Sequence, residues 1–133
     1  SLTVQRDVID SLICGGYSLD LGSDGKLGGT GLAADTFTQL PSGSLASIKI
    51  GDNYDGSTIA AGMAPTITAS GYANFFAPLA GLTTGSVGTV SLGSINPNNQ
   101  GVTFGVTAST TIGKVTVGGQ AAQNQADFRV LLV

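Results

Sequence analysis

This chain of 133 residues has a net charge of −3, carries charge on only 10% of its residues and contains no histidine or tryptophan. Its five cations stand singly, which excludes the clustered basic surface that nucleic acids require. The missing histidine excludes zinc, haem and Ser-His-Asp chemistry. An apolar content of 41% is enough for one core, so residues 1–133 are interpreted as a single domain, and no apolar run is long enough to span a bilayer.

The N-terminal segment of the chain recurs further on. The sequence LTVQRDVIDSLICGG (2–16) aligns without gaps with IKIGDNYDGSTIAAG (48–62), at an offset of 46 residues. Both segments contain a strand-like run, a polar corner, a serine, a second apolar run and a closing glycine. This self-similarity predicts two equivalent structural repeats.

The one cysteine, Cys14, lies among apolar neighbours in the sequence DSLICGG. A single cysteine cannot form a disulfide within the chain. A buried and inert thiol is therefore predicted, with a reactive or intersubunit thiol as the alternative.

A short acidic motif, DLGSDG (20–25), follows the first repeat. Asp20 and Asp24 occupy the first and fifth positions of a calcium-loop pattern. The third position is glycine, however, and the chain has no glutamate to supply the last ligand. A solvated Asx turn is the favoured interpretation and a weak calcium site is the alternative, and no other cofactor is predicted.

Two insertions rich in turn-forming residues, 21–44 and 63–83, interrupt the repeats. The second contains Tyr72 and Phe75 ahead of Pro78, which breaks the best helix candidate of the chain. We expect this insertion to cap or plug the core. A ligand-facing aromatic patch and a partner surface are the alternatives.

Three further segments share one pattern: SLASIKIG (44–51), SVGTVSLG (86–93) and TIGKVTVG (111–118). The alternation of aliphatic and other residues toward the end of each has the period of two that is typical of a strand. Stacking of the repeats would place four aliphatic residues in one file and exclude water between them, and each would contribute about 1.5 to 3 kcal/mol. These residues are Leu2, Ile48, Val90 and Val115.

The predicted fold class is all-β, as a repeat-containing β-solenoid that resembles a parallel β-helix, with quasi-repeats beginning near residues 2, 48, 90 and 115. A solenoid coil takes roughly 20 to 25 residues. The offsets of 46, 42 and 25 residues are therefore interpreted as two, two and one coils, or about six in all. A β-sandwich is the alternative, because alternation does not distinguish parallel from antiparallel strands.

Four aspartates fall at the corners of the first two repeats: Asp7, Asp10, Asp52 and Asp55. If these carboxylates stacked in register they would repel one another, so we expect the ladder to hold a cation or to splay apart. Converging carboxylates also serve polysaccharide-active β-helix enzymes, which is a lesser alternative. The chain is predicted not to be an enzyme.

Several of the repeats share the form I-G-x-V-x-V-x-G followed by S-x-I-x-A-G. The residues concerned are IGKVTVGG (112–119), SIKIGDNYDGSTIAAG (47–62) and the segment 2–16. They resemble the Gly/Ser/Thr-rich β-solenoid-type repeat modules of large exported bacterial surface or fibre proteins. The resemblance implies a structural module at the cell surface or in an extracellular fibre, with bacterial-type secretion and no catalytic residues to carry over.

Both ends of the chain are rich in β-forming residues, SLTV at the start and FRVLLV (128–133) at the end. Uncovered strand edges invite pairing with other chains. We therefore expect a head-to-tail contact with another copy or with flanking repeats, which extends into a filament if it does not close. The predicted interface consists of Leu2, Val4, Phe128, Val130, Leu131, Leu132 and Val133.

Aromatic exposure separates two classes of function. A glycan- or calcium-binding adhesion module would expose Tyr17, Tyr54, Tyr72 and Phe75 along one face. A structural module would bury Tyr54 together with Phe104 and Phe128. The structural function is preferred.

Overall fold

The computed structural model describes residues 1–25, 35–67, 73–76 and 83–133, and all regular elements in these ranges are β-strands. Within the same ranges, no helix has the length and apolarity needed to cross a membrane. The all-β class is therefore confirmed. The strands are β1 (Leu2–Val4), β2 (Val8–Ile9), β3 (Leu12–Gly15), β4 (Tyr17–Asp20), β5 (Thr36–Gln39), β6 (Ser42–Asp55), β7 (Thr58–Ala61), β8 (Thr66–Ile67), β9 (Ala73–Asn74), β10 (Thr84–Ile95), β11 (Phe104–Ala108), β12 (Thr111–Ile112), β13 (Val115–Val117), β14 (Gln120–Ala121) and β15 (Phe128–Leu132).

The first sheet contains the predicted aliphatic file. Strands β1, β6, β10 and β13 are parallel neighbours in that order. Leu2 pairs with Ile48, Ile48 with Val90, and Val90 with Val115. The predicted register of these four residues is confirmed.

The second sheet has the order β15-β11-β7-β3, and all of its strands are also parallel. Ile13, Ile59, Val106 and Val130 lie opposite one another across it. The chain alternates between the two sheets, since β1 and β2 lead to β3, β6 to β7, β10 to β11, and β13 to β15 by way of β14. Among the described strands of the two larger sheets, all pairs except β13 with β14 are parallel, unlike the antiparallel pairing expected of the sandwich alternative.

The predicted number of coils is wrong. Residues separated by 46, 42 and 25 positions are direct neighbours in the first sheet, so each offset corresponds to one strand of that sheet and not to two. The described strands therefore form four levels, where a level is a strand of the first sheet together with the strand of the second sheet that follows it in the chain. The additional residues lie in the connections that return from the second sheet to the first. These connections cover 16–41 and 62–83 in the first two cases but only 109–110 in the third. The first insertion ends earlier than predicted, because β6 already begins at Ser42.

The hydrophobic core lies between the two sheets. Ile48, Ile50, Val90 and Leu92 of the first sheet belong to the same buried cluster as Ile59 and Val106 of the second. In the central parts of β6 and β10, the alternation Ile48-Lys49-Ile50 and Val90-Ser91-Leu92 sends the aliphatic side chains into this cluster and the residue between them outward. Burial of these aliphatic side chains is the main favourable term that holds the sheets together.

Three aromatic residues extend the core toward the corner that joins the sheets. The rings of Tyr54 and Phe104 lie 6.2 Å apart, and those of Phe104 and Phe128 lie 5.5 Å apart in an edge-to-face arrangement. The hydroxyl group of Tyr54 donates a hydrogen bond of 2.9 Å to the carbonyl oxygen of Gly105. All three rings are buried, as predicted for a structural module.

Part of the second insertion packs on the outer face of the second sheet. Phe75 is buried with Met63 and Ala60 in a separate cluster, against which Val133 also packs. The described part of this insertion therefore covers the sheet, and Phe75 does not face solvent. Tyr72 lies outside the described residues.

Glycines occupy equivalent positions where the chain leaves the second sheet. Gly16 and Gly62, which the sequence aligned, have φ angles of 91° and 79°. This left-handed region favours glycine. The chain also passes close by at these points, since a Cβ on Gly43 would overlap Gly16 and one on Gly85 would overlap Gly62.

Candidate assembly interface

The two ends of the stacked strands are the candidate functional site, because an end strand has one unpaired edge. At the N-terminal end these strands are β1 and β3, each of which pairs with a single strand among the described residues. Three large apolar side chains of this first level are exposed: Leu2 by 39%, Ile9 by 54% and Leu12 by 36%.

A groove at the N-terminal end opens between the two sheets. It has a volume of about 200 Å³, and its apolar lining comes from Leu2 and Ile13 of the first level and from Leu45 and Ile48 of the second. The core therefore reaches this end of the molecule without an apolar cover from the described residues.

The C-terminal end of the first sheet is covered. Strand β14 pairs antiparallel with β13, with Ala121 opposite Thr116 and Gln120 opposite Val117. The backbone N–H of Ala122 also donates to the carbonyl oxygen of Val115, at 3.0 Å. A short reversal of the chain thus occupies the edge that another strand would need.

The C-terminal end of the second sheet is partly covered by the same segment. Phe128 and Gln125 exchange backbone N–H···O hydrogen bonds of 2.9 and 3.1 Å. The side-chain oxygen of Asn124 accepts a hydrogen bond of 2.7 Å from the backbone N–H of Val130. Residues 118–126 therefore cover both sheets, and we call them the C-terminal cap.

Only part of the predicted interface at the C-terminus is an open strand edge. The expectation that this end has no cover was therefore wrong. Phe128 is buried and Val130 is half-buried, because their alternation directs them toward the core. Val133 is half-buried and donates its backbone N–H to Ala108. Leu131 and Leu132 remain exposed, by 41% and 54%. Of the two N-terminal residues, Leu2 is exposed and Val4 is half-buried.

Unlike residues stack at the polar corner, so the expected ladder of like charges is not formed there. The Asp7 carboxylate accepts hydrogen bonds from the backbone and side-chain N–H groups of Asn53, at 2.9 and 3.1 Å. Ser94 in turn donates to the side-chain oxygen of Asn53 at 2.6 Å. One residue before Asp7 and Asn53, the guanidinium of Arg6 lies 3.7 Å from the carboxylate of Asp52. The offset of 46 residues thus places Asp7 opposite an amide and Asp52 opposite a cation.

The residues of the calcium-loop pattern form a local turn. The carboxylate of Asp20 accepts a hydrogen bond of 3.0 Å from the backbone N–H of Gly22, which is the Asx-turn geometry. Asp24 has interactions of its own within the chain. In the described ranges, no group of three or more His, Cys, Asp or Glu residues is placed to hold a metal ion.

Cys14 is exposed, so the prediction of a buried thiol is wrong. It lies in β3 next to Ile13, and the alternation that turns Ile13 inward places Cys14 on the outer face. The sheet still desolvates the sulfur, which raises the pKa of the thiol to about 11. The thiol of Cys14 is therefore accessible to solvent, although only a small fraction of it is ionised at neutral pH.

The aromatic residues proposed for ligand binding do not form an exposed line among the described residues. Tyr54 and Phe75 are buried and Tyr17 is half-buried. Burial raises the pKa of Tyr54 well above its ordinary value.

No protein-family model, curated protein or solved structure matches this chain.

Proposed function

We propose that this chain is a structural module: a short parallel β-solenoid that serves as a building element of an extracellular or cell-surface assembly and is not an enzyme. It associates end to end with other copies through strand edges at the ends of its sheets. The solenoid form rests on the alternation of the chain between two parallel sheets, level after level.

The in-register file of Leu2, Ile48, Val90 and Val115 is the observation that carries the proposal. Stacking of this kind makes the stability of each level depend on its neighbours. A level at the end has a neighbour on one side only, and its apolar side chains remain partly in water. Contact with a further β-unit at the open end would bury them and complete the sheets.

The composition supports a location outside the cell. Charged residues make up 10% of the chain, against roughly 25% in typical soluble domains. The surface is instead formed largely by small hydroxyl, amide and glycine residues, as in the exported repeat proteins that the sequence resembles. The hydrogen bonds among Asp7, Asn53 and Ser94 are an example of such a polar surface holding adjacent levels together.

Sedimentation velocity over a wide range of protein concentration, with electron microscopy of the same samples, tests the proposal. We expect species larger than a monomer whose fraction rises with concentration. Their fraction should change little with sodium chloride, because β1 and β3 contain no charged residue and β15 contains only Arg129. A well-folded monomer at every concentration would contradict a self-associating function.

A further inference from the structure

We propose that Asp24 is a site of spontaneous backbone modification, at which the folded chain converts aspartate to isoaspartate through a succinimide, and that the fold protects Asp55 from the same reaction. The chain itself is the reactant, and water is the only co-reactant. This modification goes beyond the proposed function and does not depend on it.

The chain contains two Asp-Gly dipeptides, Asp24–Gly25 and Asp55–Gly56. Glycine after aspartate leaves the backbone nitrogen without a neighbouring Cβ and allows the peptide the widest range of backbone angles. The two dipeptides therefore have similar intrinsic reactivity toward ring closure. A difference between them in the folded protein has to come from the structure around each one.

Ring closure joins the backbone nitrogen of the glycine to Cγ of the preceding aspartate. The N–Cγ bond forms and a Cγ–O bond breaks, and the carboxyl hydroxyl leaves as water with the proton of the amide. A second water then opens the ring. When it breaks the bond from the nitrogen to the backbone carbonyl carbon, the product is isoaspartate. This product has the mass of the starting chain, and the side-chain methylene has become part of the backbone.

Two hydrogen bonds hold the reacting peptide group of Asp55 in place. Its carbonyl oxygen accepts from the backbone N–H of Asp10 at 3.1 Å and from the hydroxyl group of Ser57 at 2.8 Å. Because the peptide group is planar, the nitrogen of Gly56 can turn toward Cγ of Asp55 only if this oxygen turns with it. Ring closure at Asp55 would therefore break both bonds.

Neighbouring residues also restrict movement at Gly56. The side-chain oxygens of Asp10 and Asn99 lie within 4 Å of the position that a Cβ would take on this glycine. Asp55 is the last residue of β6, is half-buried and pairs with Ile9 of β2. Rotation of the peptide at this corner would require several packed groups to move.

Asp24 and Gly25 lie in an exposed turn after β4. Apart from the two adjoining residues, no atom of the described chain lies within 4 Å of the position that a Cβ would take on Gly25. Asp24 has interactions within the chain but remains exposed. The space around Gly25 is thus open to the rotation that ring closure requires, and water can reach the succinimide for the second step.

The position of the turn predicts that the fold tolerates the product. Strand β4 pairs with β5 in a separate two-stranded sheet. Among the described residues, neither buried cluster of the core includes a residue of these two strands. The longer backbone would therefore alter a surface turn and leave the four levels stacked. We expect the modified protein to keep its circular dichroism spectrum and its unfolding temperature.

Digestion with an endoproteinase that cleaves before aspartate but not before isoaspartate tests the proposal. The folded protein is warmed for weeks at mildly acidic pH, and samples are then unfolded and digested. Isoaspartate at position 24 leaves the fragment 20–34 uncut, and isoaspartate at position 55 leaves 52–126 uncut. We expect 20–34 to accumulate several-fold faster than 52–126.

Protein kept in urea and the variant Ser57→Ala are the controls. In urea the two sites lose their surroundings, and we expect them to react at comparable rates. Ser57→Ala removes one of the two bonds to the carbonyl oxygen of Asp55, so the reaction at Asp55 should become faster while that at Asp24 is unchanged. Circular dichroism establishes that this variant is folded, and the comparison with urea stands without it.

Two results would overturn the inference. If Asp55 reacts as fast as Asp24 in the folded wild-type protein, the fold does not protect Asp55. If Asp24 forms isoaspartate in urea but not in the folded protein, the turn is not open to ring closure.

Discussion

Asp7 and Asn53 are 46 residues apart in sequence and occupy equivalent corners of adjacent levels, where the carboxylate of Asp7 accepts two hydrogen bonds from Asn53. An amide opposite a carboxylate avoids the repulsion that two carboxylates would suffer. The same offset places Arg6 near Asp52. The corner is thus held together by pairs of unlike residues.

Replacing the amide by a carboxylate should therefore weaken the stack. Asn53→Asp removes the side-chain donor to Asp7 and sets two negative groups within hydrogen-bonding distance. We expect a loss of about 1 kcal/mol in the free energy of unfolding at neutral pH, measured by urea denaturation at low salt. Added salt should recover part of the loss. Asn98→Asp, whose side-chain oxygen accepts from the N–H of Gln100, keeps its acceptor and should be nearly neutral.

Alanine substitutions at two glycines separate backbone strain from steric overlap. Gly62 and Gly101 have φ angles of 79° and 82°, but only Gly62 has neighbouring backbone in the space that a Cβ would take. We expect Gly101→Ala to cost about 1 kcal/mol and Gly62→Ala at least about 3 kcal/mol. Thermal or urea unfolding of both variants measures the difference. Equal costs would show that the approach of Gly85 to Gly62 is not tight.

The raised pKa of Tyr54 predicts a loss of stability in alkali. The buried phenol is neutral in the folded protein, and burial raises its pKa well above the ordinary value for tyrosine. Its contribution to stability is complete below the pKa of the unfolded chain and is lost as the pH rises beyond it. We expect Tyr54→Phe to cost about 1 kcal/mol at pH 7, through loss of the bond to Gly105, and to reduce the decline in stability above pH 10. A decline as steep as that of the wild type would contradict this assignment.

The thiol of Cys14 should react as a weakly ionised group. Its pKa is raised from 9.0 to about 11. Below pH 11, the fraction of thiolate therefore increases about tenfold each time the pH is raised by one unit. We expect the alkylation rate of dilute folded protein to increase steadily from pH 7 and to level off near pH 11. Protein in urea should level off near pH 9, the ordinary value. Coincident profiles would show that the folded sheet does not desolvate the sulfur.

The register of the first sheet was predictable because two independent signals agree. The aliphatic alternation aligns Ile48 with Val90 and Val115, and the serine and glycine positions align 2–16 with 48–62. Both signals arise from contacts that recur at each level. The closing glycines are an example, since Gly16 and Gly62 share a left-handed conformation and a close backbone neighbour.

The number of levels was not predictable from the offsets alone. An offset of 46 residues fits two short coils as well as one coil with a long connection, and hydrophobic periodicity does not distinguish them. The unlike pairing of Asp7 with Asn53 did follow from the offset. Asn53 lies 46 residues after Asp7, the same offset that aligns the two repeats.

The C-terminal cap has no periodic signature either. It is formed by single hydrogen bonds from Asn124 and Gln125 to a strand that follows directly, and such bonds depend on the path of the turn. The apolar character of FRVLLV (128–133) indicated a strand edge but not its cover. For that reason the sequence predicted two open ends, whereas in the described residues the C-terminal end is covered at the first sheet and over part of the second.

Nuclear Overhauser contacts between methyl groups are the most direct measurement of the stacked register. With isotope-labelled protein, we expect methyl contacts from Ile48 to Leu2 on one side and to Val90 on the other, and from Val90 to Val115. Contacts of Ile48 with residues about 20 positions away, as six short coils would require, together with none to Val90, would contradict the parallel stack of four levels.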